Sequence, residues 1–461
     1  MERSTQRMVL LVATTAGFLS TFMASAINIA LPRIEEEWNV SAVTLGWISL
    51  AYVLAAAALL MPAGRLADFY GRKRFFVIGM SAFTVLTFAA AFAPSAPVLI
   101  LIRVLQGIGT AVLFSCTVAM VTLAYPPESR GRALGLQVGG VYLGLALGPV
   151  LGGLITDNLG WRFVFVFVGA IGVVNCLLVA WRLRGVEWRE PKRADFDVAG
   201  SVMWAVALTG LLIGFSLLPG ALGWALIAAG AAGIAGFLWW ETRAPDPILN
   251  VDLIRQNRVF AYSNAATFIN YAATYAVTFL MSLYLQYNKG LSPKAAGLII
   301  VTGTVVQTVF SPVAGRLADR VQARFVASAG MAVCVLGLGA FVFLSEDTTY
   351  WYIITTLCVL GIGFAFFATP IIYAIMGSVD RRYTGVASAT IGTMRLTGQS
   401  ISMGLATLVL AVVVGPHPIG TADYPNVLTS VRITFAIFTV LCVVGVAASL
   451  VGPRAGETAD S

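Results

Sequence analysis

The chain has 461 residues, 59% of them hydrophobic and only 11% charged, with mean hydropathy +0.87 and a formal net charge of +8. Soluble chains carry about a quarter charged residues, so this charge cannot cover soluble domains of such total length; soluble enzymes, disordered chains and disulfide scaffolds are excluded. In a soluble protein the basic excess would suggest nucleic acid, whereas in a membrane protein it collects in cytoplasmic loops.

About 20 apolar residues cross a bilayer as a helix. In chain order such runs fall at 8–31, 43–63, 75–93, 98–123, 132–156, 161–182, 197–218, 221–240, 259–285, 293–315, 325–344, 350–376, 384–413 and 427–450. The pattern predicts an all-α integral membrane protein of fourteen spans with no soluble domain, because the longest polar stretches are 183–196 and 241–258. The first run mimics a signal peptide, with Arg3 and Arg7 before it and Ala24-Ser25-Ala26 as a cleavage-like site. Its apolar character continues through Asn28-Ile29-Ala30-Leu31-Pro32, so it is expected to remain as span one.

Placing both termini in the cytoplasm puts 22 of the 29 Lys and Arg residues inside. Only Arg33, Arg162, Lys289 and Lys294 fall outside, and Arg103, Arg395 and Arg432 lie within spans. The basic excess is then topological and no nucleic-acid partner is expected. The five cysteines sit in apolar runs without a C-x-x-C pair, and the single histidine, His417, lies in a Pro/Gly loop. No metal or cofactor site is expected.

Gly64-Arg65-Leu66-Ala67-Asp68 follows span two and recurs identically as Gly315-Arg316-Leu317-Ala318-Asp319 after span ten, 251 positions later. That offset contains eight spans, which predicts two six-helix halves with two extra helices between them. The expected units are residues 1–184, a two-helix insert with linkers at 185–258, and residues 259–461. Parallel repeats of this kind enclose a midplane cavity in transporters.

On these residues the chain resembles the major facilitator superfamily, specifically its fourteen-span drug:proton antiporter branch. The loop Gly64-Arg65-Leu66-Ala67-Asp68-Phe69-Tyr70-Gly71-Arg72-Lys73-Arg74 is similar to the family's inside-loop signature. Arg103-Val104-Leu105-Gln106-Gly107 matches the fourth-span signature, and Gly144 to Gly153, with Gly148, Pro149 and Gly152, matches the fifth-span antiporter signature. The resemblance implies alternating access, proton-coupled export of small amphipathic compounds, a monomer in the plasma membrane and no enzymatic activity.

It also implies an inside gate at Gly64, Arg65, Asp68, Gly71, Arg72, Lys73, Gly315, Arg316 and Asp319. Gly64 and Gly71 are expected to let the chain turn sharply. The fifth-span glycines form a small face suited to close helix packing, with Pro149 bending the helix. Candidate cavity residues are Asn28, Tyr52, Arg103, Gln106, Tyr142, Asn270, Tyr271, Tyr275, Gln307, Arg395 and Gln399. An arginine at membrane depth normally faces a cavity or a partner.

One departure from the family matters. Many relatives carry an aspartate in span one where this chain has Met23, and all 21 acidic residues fall in loops, termini or span ends. Proton coupling is left with Asp157, Asp68 or a protonated substrate. If Arg103 and Arg395 both face the cavity, its positive charge favours a neutral or anionic solute, which keeps an organic-anion facilitator or antiporter open as the alternative. A non-transporting sensor on the same scaffold is the reading from another class.

Asp68→Asn is expected to reduce transport while membrane abundance stays near wild type, measured by whole-cell accumulation beside quantitative immunoblots. Equal loss of both would make Asp68 a folding residue.

Overall fold

A computed structural model describes residues 3–183, 197–244, 247–249, 251–379 and 384–451. Fourteen helical spans among them are long and apolar enough to cross a bilayer, the number that the hydropathy pattern predicts. In order they are α1 (Arg3–Trp38), α2 (Ala42–Tyr70), α3 (Arg72–Ala91), α4 (Ala96–Ala124), α5 (Pro127–Leu159), α6 (Arg162–Arg182), α7 (Val198–Ser216) and α8 (Ala221–Glu241). A short α9 (Val251–Gln256) leads into α10 (Arg258–Thr274) and α11 (Val277–Leu283), followed by α12 (Pro293–Ala318), α13 (Ala323–Phe341), α14 (Tyr350–Gly377), α15 (Thr384–Val413) and α16 (Tyr424–Ser449). Side-chain caps start several of them: Ser41, Asn257 and Ser292 accept from the backbone N–H groups of Thr44, Phe260 and Ala295.

In one bundle α1 lies along α5, α2 along α4, and α3 along α4 and α6; in the other α10 lies along α15 and α16, α12 along α14, and α13 along α14 and α16. The bundles meet where α5 packs on α12, α2 on α15 and α1 on α11. Helix α7 pairs with α8 and also rests on both α2 and α15, with the Trp204 indole donating to Ala57 O at 3.3 Å. We call the two ends of the molecule the Trp38 end and the Arg72 end.

Helix α5 shows why its glycines stand where they do. Lipid tails are as apolar as a leucine side chain, so helices in a membrane associate by close packing rather than by the hydrophobic effect. Gly140, Gly144, Gly148 and Gly152 repeat every four residues and face α1; a side-chain carbon at Gly148 would lie 2.6 Å from Ser25 Cβ, and one at Gly152 2.8 Å from Ala26 Cβ. Pro149 has no N–H for the Leu145 carbonyl, and Ser25 Oγ donates to that carbonyl at 3.2 Å instead.

A second face of α5, traced by 131, 135, 139, 142, 146, 149 and 153, points toward the other bundle. At the Trp38 end a carbon on Gly153 would stand 2.5 Å from Pro293 O of α12, whereas Gly131, Gly135 and Gly139 have nothing within 4 Å. The bundles therefore touch along this face at the Trp38 end and part toward the Arg72 end.

Two local expectations are corrected. The run 259–285 is not one helix: it breaks at Tyr275 and Ala276, where Ser402 Oγ receives the Ala276 N–H at 3.0 Å, and it continues through a π-helical turn at Tyr284–Asn288. The segments 64–68 and 315–318 are also not loops but the last turns of α2 and α12. Gly64 therefore makes no turn; Gly71 does, as the single residue between α2 and α3 at φ 97°, where a side chain would be strained.

Gly148→Ala is expected to cost about 1–3 kcal/mol through overpacking and to lower the melting midpoint of the purified protein. Gly135→Ala, in open space, should be neutral or raise stability by about 1 kcal/mol. Equal losses at both positions would show that close approach to α1 is not what the glycines supply.

Candidate functional site: a cavity between the two halves

The two bundles enclose a cavity lined from both sides. Ser20, Thr21, Ala24, Tyr52, Val53, Ala56, Thr110, Phe114, Val141, Tyr142 and Leu145 come from α1, α2, α4 and α5. Tyr271, Tyr275, Phe364, Arg395, Leu396 and Gln399 come from α10, the break after it, α14 and α15. Its free space is about 40 Å³, room for a few waters and far below the few hundred Å³ that a drug-sized solute fills. A solute of that size therefore enters only when the halves move apart.

Tyr52 is fixed by two hydrogen bonds: its hydroxyl donates to Ser20 O at 2.8 Å and accepts from Thr110 Oγ1 at 2.7 Å. Tyr271 stacks edge-on against Phe364 at 5.5 Å between ring centres and makes polar contacts with Tyr142 of the other half and with Arg395. The Arg395 guanidinium lies 5.3 Å from the centre of the Phe114 ring, and its buried Nε has no hydrogen-bond partner. No Asp or Glu occurs among these lining residues. The walls thus carry six aromatic rings among mostly uncharged neighbours, with a single cation beside ring faces and phenols.

Of the predicted cavity residues, Tyr52, Tyr142, Tyr271, Tyr275, Arg395 and Gln399 come together here. Asn28, Arg103, Gln106, Asn270 and Gln307 do not belong to the lining. Arg103 is fully buried within its own bundle: Nε donates to Ile48 O at 3.1 Å, one terminal nitrogen donates to Gln106 Oε1 at 3.1 Å, and the guanidinium lies 4.1 Å from the centre of the Tyr52 ring. Gln106 passes the chain on to Thr87 Oγ1 at 2.9 Å. The expected two-arginine cavity is therefore a one-arginine cavity, because Arg103 turns Nε and one terminal nitrogen to Ile48 O and Gln106 within its own bundle, its other terminal nitrogen being buried without a partner. Asn270 donates to Met331 Sδ at 3.1 Å inside the other bundle.

Phe114 and Phe364 were missed because an apolar residue facing a cavity looks like one facing lipid. The internal repeat carried a signal, since the two phenylalanines stand 250 positions apart, one short of the offset of the repeated motif.

At the Arg72 end, Arg65 donates to Pro247 O at 2.8 Å, Arg316 lies in the last turn of α12, and Asp319 is the residue that ends it. Arg72 and Lys73 open α3. The Asp68 side chain lies outside the described residues. Asp157 sits at the Trp38 end, 4.0 Å from Arg33, and is not part of the cavity lining.

The Trp38 end carries the polar seam between the halves. Pro32 removes the N–H that would bond Asn28 O; Ser282 Oγ from α11 donates to that carbonyl at 2.8 Å, and Gln286 Nε2 donates to Ile29 O at 3.0 Å. The Asn28 side chain accepts from Ser49 Oγ, which makes it a brace of this seam. Tyr287 closes the edge by donating to Glu35 Oε2 at 3.3 Å.

A family model described as "Major Facilitator Superfamily" matches residues 13–240 and 264–460. The chain is 32% identical to "Multidrug resistance protein Stp" of Mycobacterium tuberculosis (strain CDC 1551 / Oshkosh), over 88% of this chain and 76% of that protein. It is 32% identical to "Cephamycin export protein CmcT" of Amycolatopsis lactamdurans, over 93% and 88%. In fold it matches a bacterial homologue of the human lysosomal transporter Spinster, solved in an inward-facing, unoccupied conformation, with TM-score 0.66, 17% identity and coverage of 98% and 97%. The match along nearly the whole length and the two six-helix bundles around one cavity agree: the chain belongs to the Major Facilitator Superfamily of membrane transporters.

Proposed function

We propose that this transporter exports small amphipathic compounds, neutral or anionic at physiological pH, in exchange for protons. The observation that carries the reading is the cavity wall: tyrosines and phenylalanines from both halves, one arginine with an unpartnered buried donor, and no acidic residue among its lining. Flat apolar solutes suit the aromatic walls, and a carboxylate or phenolate on the solute supplies the acceptor that Arg395 Nε lacks. The names of the resistance and export proteins among its relatives support outward transport.

The mechanism follows from the seams. With the positive-inside count, the Arg72 end is cytoplasmic, both termini lie inside and the membrane is the plasma membrane. The structure then has its outer seam shut and its halves parting inward along α5. Solute binding between Tyr142 of one half and Tyr271 and Arg395 of the other gives the two halves a common ligand. Rocking of residues 1–184 against 259–461, as a monomer, breaks the Ser282 and Gln286 bonds to α1 and opens the outer side. With no acidic residue in the lining, the proton is carried by a group elsewhere, such as Asp157 or Asp68, or by the solute itself.

The test is accumulation of one anionic and one cationic fluorescent compound in cells lacking their own pumps, with and without this protein, before and after collapse of the proton gradient. Exclusion of the anion is expected, lost on collapse and reduced about 10- to 100-fold in Arg395→Gln, the worth of one charge-assisted hydrogen bond. Arg395→Lys should recover part of it. Exclusion of the cation alone, indifferent to Arg395, would overturn the anionic assignment.

A further inference from the structure

Beyond the cavity, a buried carboxylate with two charged neighbours lies where the α7–α8 insert meets the Arg72 end of α2. Glu241 is the first residue past the apolar run 221–240 and is only 3% exposed. Its Oε2 accepts the Leu249 N–H at 2.8 Å, while its buried Oε1 has no hydrogen-bond partner. Asp197 caps α7, accepting the Gly200 N–H at 2.8 Å and the Trp240 indole N–H at 3.0 Å. Both carboxylates crowd Gly200: a side-chain carbon there would lie 2.6 Å from Glu241 Oε1 and closer still to Asp197 Oδ2.

The two acids are not equivalent. Asp197 has its donors and sits at a helix N-terminus, which favours its negative charge. Glu241 has far fewer donors than an ionised carboxylate can use and a second carboxylate beside it. Two such groups side by side, one of them buried, cannot both ionise cheaply. A proton on Glu241 Oε1 turns the unpartnered acceptor into a donor on the side of Gly200 where Asp197 also lies. Arg65 faces Glu241 from α2, and the N–H groups of Ile248 and Leu249 face it from the connecting segment.

We propose that Asp197 and Glu241 form a proton-binding site, in which one proton on Glu241 bridges to Asp197 and seats the insert against the Arg65 end of α2. This site stands whatever the cavity carries. The observations that favour the proton are geometric: Glu241 is buried, one of its oxygens has no donor, and Asp197 lies on the same side of Gly200. A proton held in the folded state but not in the unfolded chain stabilises the fold at low pH, and that stabilisation is lost as pH rises. Loss of the proton leaves two neighbouring negative charges, one of them buried, and draws Arg65 from the Pro247 carbonyl, loosening the insert from one copy of the repeated motif.

The experiment is infrared difference spectroscopy of the full-length protein in detergent across about pH 5 to 9, with melting midpoints at the same pH values. Wild type should show a protonated-carboxyl band that disappears with a midpoint inside this range as pH rises, and Glu241→Gln should lack it. Asp197→Asn keeps the cap, since asparagine caps as well as aspartate, but removes the neighbouring charge, so the midpoint should move down. The melting midpoint of wild type should fall as pH rises over the range in which the band disappears and level off above it, and that of Glu241→Gln should not. A band that survives in Glu241→Gln, or a midpoint unmoved in Asp197→Asn, overturns the proposal; should Glu241→Gln fail to fold, the Asp197→Asn shift decides alone.

Discussion

Every backbone polar group inside a bilayer must find its partner within the protein, because hydrocarbon offers none. Much of this architecture follows from how the chain meets that demand where a proline breaks it. Pro149 orphans the Leu145 carbonyl and Ser25 of α1 takes it up, which ties α5 to α1 beside the cavity. Pro32 orphans the Asn28 carbonyl and Ser282 of the opposite half takes it up, which ties the halves together at one end. The same rule gives a fixed contact in one place and a breakable one in the other. The difference is whether the donor belongs to the same bundle.

Charge obeys a parallel constraint. An arginine at depth is expensive unless its donors are used, and the two deep arginines solve this differently. Arg103 turns two of its nitrogens to Ile48 O and Gln106 and lies against the Tyr52 ring within one bundle, leaving its other terminal nitrogen without a partner. Arg395 rests near Phe114 and Tyr271 with Nε unmet. One arginine is enclosed in a single bundle and the other lines the cavity between the two.

Much of the fold was legible because its signals are long and repeated: about 20 apolar residues per span, basic loops on one side, and a five-residue motif at a fixed offset. The site was only partly legible. Tyrosines and Gln399 stood out as polar breaks in apolar runs, but Asn28, Arg103, Gln106 and Asn270 gave the same signal while bonding neighbouring helices. Phe114 and Phe364 gave none by type. The helix break at Tyr275 was hidden as well, because no proline or glycine marks it and a distant serine, Ser402, receives the freed N–H.

The sequence by itself determined the number of spans and the positions of the small-residue face of α5, because those depend on composition and spacing along the chain. Only the tertiary structure decided which polar side chains face the cavity, that Arg395 does so and Arg103 does not, and that Glu241 and Asp197 both lie beside Gly200. Those outcomes turn on which helix faces meet, and helices far apart in sequence meet through packing that local periodicity does not encode.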